Sequence, residues 1–260
     1  MNTPTAIQPP PFRGKMRAAL LATALTAALC ASPAHAANIT LSPIRDNSIY
    51  AENNNSNALG NIFVGRTAGV SGTSIRRGLL EFDIAGNLPA GSVINSVTLT
   101  LQILGAGPAA GSDILELHPL LADWGEGTSS GTGPGALPTT NDATWNFRLF
   151  STASWATPGG DFGPTSGTTT LGAASTATLS SQPGMVANVQ NWLDTPGANF
   201  GWLMRYSNET TPSTARYFGS RESAPASRPA LAIDYTVVPE PGSLTLLAIG
   251  AACALRRRRP

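Results

Sequence analysis

Val93-Ile-Asn-Ser-Val-Thr-Leu-Thr-Leu-Gln-Ile-Leu104 decides the fold class. Val97, Leu99, Leu101 and Ile103 alternate with Ser96, Thr98, Thr100 and Gln102, a period of two over eight residues. A strand turns successive side chains to opposite faces, so this stretch is a strand buried on one face and wet on the other. Pro89-Ala-Gly91 leads into it as a turn, because proline presets φ and glycine tolerates conformations closed to other residues.

Similar signals flank it. Asn38 to Leu41, Asp46 to Tyr50, Asn61 to Gly65 and Arg77 to Ile84 read as strands, the last with Leu80 and Phe82 on its core face. Asp113 to His118 is expected to lie beside the 93–104 strand, and Gly201 to Tyr206, Arg216 to Ser220 and Pro229 to Tyr235 close the series. Met185, Val189 and Trp192 or Leu193 share one face of a short helix that Pro196-Gly197 ends. Residues 123–172 are irregular and rich in Gly, Pro and Thr, and the tryptophans spaced through them argue that they fold onto the body. Eight to ten short strands with one short helix predict an all-β fold, a single jelly-roll-like β-sandwich.

The chain has 260 residues, of which only 12% are charged. Both cysteines, Cys30 and Cys253, lie outside the stretch that carries the strands, so the domain has neither a disulfide nor a cysteine metal site. Between residues 37 and 238 stand 9 Arg and no Lys against 14 Asp and Glu, a net charge of 9 − 14 = −5. Nucleic acid binding needs clustered cations, and a mildly acidic, lysine-free body excludes it from consideration.

The first 36 residues read as a secretory signal peptide. Arg13, Lys15 and Arg17 form its basic region, Ala18 to Leu29 its apolar region, and Ala34-His-Ala36 a small-x-small cleavage site before Ala37. Either Met1 or Met16 can serve as initiator. The general secretion machinery is then a partner.

At the other end, Pro239-Glu240-Pro241 is a rigid extended break, Ser243 to Leu255 is uncharged and mostly apolar, and Arg256, Arg257, Arg258 and Arg259 form a basic cluster. The apolar run is about 20 Å long as a helix, short for a hydrocarbon core of about 30 Å but able to span a thinned one. The arginines are expected to stay cytoplasmic, anchoring the topology in the inner membrane. Residues 238–260 resemble a PEP-CTERM sorting signal. The resemblance implies an exported protein processed by an exosortase, a membrane-embedded transpeptidase, with transient membrane anchoring before release to the cell surface or beyond. An ordinary C-terminal anchor is the alternative.

The 37–237 body carries a second set of motifs. They are Arg77-Gly-Leu-Leu-Glu-Phe-Asp83, Leu88-Pro-Ala-Gly91 before the 97–101 strand, Trp124-Gly-Glu-Gly127, Pro158-Gly-Gly-Asp161, Asn199-Phe-Gly201 and Ser220-Arg-Glu222 with Arg228-Pro229. In this order they resemble the DNRLRE domain of exported proteins. The resemblance implies a β-sandwich akin to carbohydrate-binding modules and brings no catalytic residues with it.

Three function classes follow. Binding of extracellular polysaccharide needs aromatic faces for sugar rings, and Trp124, Trp145 and Trp155 are the candidates, with edge-plugging as their alternative role. A structural or adhesion role with a protein partner is the second class. An enzyme is the third: Asp83, Asp113, Glu116, Asp123, Glu126 and Asp161 are available as acids and bases, but His118 is the one histidine of the body, which starves a zinc or Ser-His-Asp site. No catalytic residue is therefore assigned, and no cofactor beyond a structural calcium for which Asp46, Asn47 and Glu52, expected in loops, offer hard oxygen ligands.

Overall fold

In the computed structural model, residues 35–69, 74–173 and 175–238 are described. The segment up to Ala34, within the stretch read as a signal peptide, the Pro239-Glu240-Pro241 motif and Arg256 to Arg259 lie outside the described residues. Ala36–Val237 forms one compact unit.

Thirteen strands and one helix make up the described part. The strands are β1 (His35–Leu41), β2 (Arg45–Tyr50), β3 (Ile62–Arg66), β4 (Ile75–Glu81), β5 (Val93–Ala106), β6 (Ile114–Pro119), β7 (Phe147–Leu149), β8 (Ala153–Ser154), β9 (Gly167–Thr170), β10 (Thr176–Leu179), β11 (Trp202–Tyr206), β12 (Arg216–Phe218) and β13 (Ala230–Val237); the helix is α1 (Pro183–Asp194). The fold is all-β, with 40% of the described residues in strands, an arrangement consistent with a β-sandwich or half-barrel.

Two groups of antiparallel strands face each other. In the first, β5 lies between β13 and β10, and β13 pairs onward with β1. In the second, β4 lies between β2 and β11, and β11 continues through β6 to β9. The corner between them is made by β3 and β12, which pair with each other, β12 also holding the end of β5 and β3 the end of β4. The 14-residue β5 can serve both groups because it is long and shifts register opposite β12.

The alternation read in residues 96–103 is realised: Val97, Leu99 and Leu101 are buried, while Thr98, Thr100 and Gln102 on the other face are partly open. Leu231 and Ile233 of β13, Leu115 and Leu117 of β6, and Trp202 and Met204 of β11 fill the same core. At about 1.5–3 kcal/mol for each fully buried large aliphatic side chain, this layer dominates stability. Helix α1 buries Met185, Val189, Trp192 and Leu193, the face expected, and runs three turns rather than the shorter helix anticipated. Pro183 enters its first turn, where a missing N–H costs nothing. Trp192 meets Trp202 edge to face at 4.6 Å between centroids.

One expected neighbour is wrong. Asp113 to His118 does not pair with the 93–104 strand; β6 pairs with β11 and β9. The Gly- and Pro-containing connection before it carries the chain to the opposite group, so Leu115 and Leu117 enter the core facing β5 rather than beside it. The 123–172 region is also more ordered than an irregular loop: it contains the β7–β8 hairpin and β9.

Candidate functional site

The second strand group is buried on both faces. Leu79 and Leu203 point away from the main core, alternating with Leu80, Trp202 and Met204, which enter it. Such an outward apolar patch needs a cover, and the long segment after β6 supplies one. Trp124, Trp155, Leu120 and Ala143 close over Ile49, Leu79 and Leu203. Trp124 is fully buried, its Nε1–H donates to the Phe200 carbonyl at 2.9 Å, and Arg45 stacks 4.6 Å from its ring. Trp155 is buried and its Nε1–H donates to the Thr144 carbonyl at 2.9 Å. Trp145 keeps a half-buried ring with the Arg77 guanidinium 4.7 Å from its centroid.

Of the two roles open to the three tryptophans, plugging the edge of the sandwich fits Trp124 and Trp155, and an exposed platform does not. Two are sealed, and the third is stacked on an arginine that is itself held by both Glu209 oxygens and the Gly159 carbonyl. The reason is the apolar outer face of β4 and β11, which takes the large rings as its lid.

The calcium candidates do not converge either. Asp46 and Asn47 lie within β2, not in a loop, and neighbours in a strand point to opposite faces. Asn47 Oδ1 accepts from the Ser48 and Asn57 amides and the Ser56 hydroxyl. Glu52 is paired with the buried Arg76. Among the described residues no three His, Cys, Asp or Glu side chains are grouped as a metal site.

Asp46 belongs to a charged clasp. Its Oδ2 accepts the Arg221 amide at 2.6 Å, its own amide donates to Glu126 at 2.8 Å, and the Arg221 guanidinium reaches Glu126 at 2.9 Å and Glu222 at 2.8 Å. The other oxygen, Oδ1, is buried without a hydrogen-bond partner among the described residues. Burial pushes the Asp46 carboxyl well above its usual range, and the Arg221 amide only partly opposes it. Burial also raises Glu126, against the Asp46 amide and Arg221, and raises Glu81, against Arg45.

The remaining candidate acids are engaged in holding structure. Asp113 pairs with Arg216 at 2.6 Å, Asp123 with Arg45 at 2.7 Å, and Asp161 accepts the Ala156 and Thr157 amides at 2.8 Å. Asp83 accepts the Gly86 amide at 2.8 Å. His118 donates from Nδ1 to the Gly163 carbonyl at 2.9 Å, places Nε2 3.2 Å from Glu116, and rests its ring on Phe162.

An open aromatic surface exists elsewhere, on the corner made by β3 and β12. Phe63 alternates with the core residues Ile62 and Val64, and Tyr217 with the buried Arg216 and Phe218, so both rings point outward. They are register partners across the strand pair, with centroids 5.4 Å apart and planes 31° from parallel. Together with Asn61, Gly131, Thr132 and Gly133 they line an open cleft of about 390 Å³. That volume falls at the lower end of the range for small-ligand sites, about 300–1,000 Å³.

Each wall is fixed from below. Tyr217 lies over Gly105, its partner on β5, where a Cβ would come within 2.3 Å of the ring. Only glycine lets the ring lie flat on the strand at that position. Tyr50 packs behind Phe63 at 6.3 Å between centroids, with the Arg76 guanidinium 4.5 Å from the Tyr50 ring centroid. The 131–136 segment bends over Tyr50 through Gly135, whose φ of +73° other residues avoid. It is pinned by the Gly131 amide on Asn57 Oδ1 at 2.8 Å and by a two-way backbone pairing of Ala136 with Ser56.

The cleft can stack two sugar faces and offer hydrogen bonds around them. Asn61, Thr132 and Tyr217, among its lining residues, carry a carboxamide and two hydroxyls. Reading from sequence missed Phe63 and Tyr217, although a signal was present: each is an aromatic residue on the outward phase of a strand whose flanking residues are core. A more polar depression near Arg66, Arg205 and Glu209 is less suited, because its arginines are already committed to Thr210, Ser74 and Glu209.

Comparison with known proteins places one element. The model of the PEP-CTERM protein-sorting motif matches residues 237–259. The motif marks a secreted protein sorted by an exosortase to the surface or the extracellular space. The match starts at Val237, the last residue of β13. No curated protein matches the chain.

Proposed function

We propose that the body binds extracellular polysaccharide through the Phe63–Tyr217 shelf and does no chemistry on it. The observation that carries this reading is a pair of outward aromatic rings, rigidly backed, in a cleft edged by amide and hydroxyl groups. Aromatic faces take the apolar faces of sugar rings, and a few polar groups set orientation. A non-catalytic role is supported by the candidate acids, each occupied by an arginine, a backbone amide or, for Glu116, His118 in the positions described above.

In this reading the chain is made as a precursor. The signal peptide is removed between Ala36 and Ala37, residues 238–260 hold the protein in the inner membrane for a time, and an exosortase acts near Pro239-Glu240-Pro241. The body is then a DNRLRE-like module whose sugar-facing aromatics are Phe63 and Tyr217.

Affinity electrophoresis tests it. The exported protein, purified from its host, is run through gels containing the host's own extracellular polysaccharide. Retardation of the wild type, lost in Phe63→Ala and Tyr217→Ala, is the expected result. Equal mobility with and without polysaccharide would sink the binding claim, and self-association of the same protein without sugar would favour the adhesion class.

A further inference from the structure

We propose that the shelf selects uncharged glycan chains and binds them without an ionic contribution; this rests on the polysaccharide reading above. The side chains that line the cleft are Asn61, Phe63, Thr132 and Tyr217, none of them charged. The nearest cation in the packing behind it, Arg76, is buried, neutralised by Glu52 and turned toward the Gly133 carbonyl at 3.4 Å. It stacks on Tyr50, which stands between it and Phe63. Among the described residues, no unpaired positive group therefore lines the shelf.

The polar rim points the same way. The Asn61 amide, the Thr132 hydroxyl and the Tyr217 hydroxyl have no side-chain hydrogen-bond partner among the described residues, and each carries both a donor and an acceptor. Sugar hydroxyls are matched to such groups because they too donate and accept. A carboxylate or sulfate ester only accepts, so it can use the rim's donors but offers nothing to the rim's acceptors. The 37–238 body as a whole carries a net charge of 9 − 14 = −5, which opposes the approach of a polyanion and is screened beyond a Debye length of about 8 Å at physiological salt.

The test uses exported protein from the host and the host's extracellular polysaccharide, separated on an anion exchanger into neutral and acidic fractions. Dissociation constants come from affinity gels at ionic strengths from about 50 to about 500 mM, a range that shortens the Debye length roughly threefold. The neutral fraction should retard the protein, with a constant that changes less than about twofold with salt, and Tyr217→Ala should weaken it about tenfold, or 1.4 kcal/mol. Tyr217→Leu, which keeps apolar cover on β5 but removes the π-face, should weaken it similarly and guards against a misfolded alanine variant. Binding confined to the acidic fraction and fading with salt, yet lost in Tyr217→Leu, would overturn the selectivity and leave the shelf. Retardation by neither fraction would instead overturn the polysaccharide reading itself.

Discussion

Two aromatic clusters lie outside the main core, and they have opposite fates. On the outer face of β4 and β11, Trp124 and Trp155 are buried under their own chain. At the β3–β12 corner, Phe63 and Tyr217 remain partly open. The difference is in what the strand beneath presents. Leu79 and Leu203 offer an apolar surface that draws large rings down as a lid. Gly105 offers bare backbone, against which the Tyr217 ring lies, and the 131–133 segment borders the cleft beside it. Aromatic residues amid glycines in a long segment are thus no guide to exposure; the outward phase of a short strand is the better one.

The largest effect should come from opening the lid. Trp124→Ala removes a fully buried ring, the Arg45 stack and the bond to Phe200, and is expected to cost about 3–5 kcal/mol in denaturant unfolding. Glycan binding by the fraction still folded should be unchanged. A stability loss below about 1 kcal/mol would show that the lid packs far less tightly than described.

Next comes the floor of the shelf. Gly105→Ala puts a methyl group where the Tyr217 ring lies and should tilt the ring off the strand. The expectation is a cost of about 1–3 kcal/mol from overpacking and a weakening of glycan binding by about tenfold, or 1.4 kcal/mol. Unchanged affinity would mean that the ring's position is not set from below, which is half of the contrast with the tryptophans.

The clasp that ties β2 to the segment after β12 gives a smaller, pH-dependent effect. Asp46, Glu81 and Glu126 are all raised in the folded state by burial. Their contribution is therefore fully present below the unfolded carboxylate pKa of about 4 and is lost as pH rises through the folded values. Thermal stability should fall between acid and mildly alkaline pH. Asp46→Asn, which cannot ionise, should flatten that fall and raise Tm at pH 8 by ~2–4 °C for each kcal/mol recovered. A steeper fall in the variant would contradict the assigned direction. Glycan affinity should not follow this titration, since the clasp and the shelf have no lining residue in common.

Much of the fold could be read from the chain. The 96–103 alternation, the Leu80–Phe82 face and the Met185–Val189 face depend on local periodicity, and all three are present as expected. Strand order was less accessible: β6 crosses to the opposite group, and nothing in residues 107–113 announces that. The site was legible only in part. The tryptophans stood out by size, but their burial depends on Leu79 and Leu203, more than 40 positions from each of the rings they meet in either direction or buried in a different element. Phe63 and Tyr217 become neighbours only once β3 and β12 pair, a contact across 154 positions (217 − 63). Asp46 to Tyr50 is legible as a strand, and the pairing of Asp46 with Leu80 confirms it; that strand position is what takes Asp46 and Asn47 out of the ligand loop expected with Glu52.

The most direct measurement sets the two clusters side by side. Dissociation constants for the host's extracellular polysaccharide are determined for the exported wild type, Tyr217→Ala and Trp145→Ala, Trp145 being the one tryptophan of the lid with an accessible ring. The shelf account predicts about tenfold weakening in Tyr217→Ala, a loss of about 1.4 kcal/mol, and wild-type affinity in folded Trp145→Ala. Loss in Trp145→Ala with full affinity in Tyr217→Ala would contradict it and return the binding site to the lid.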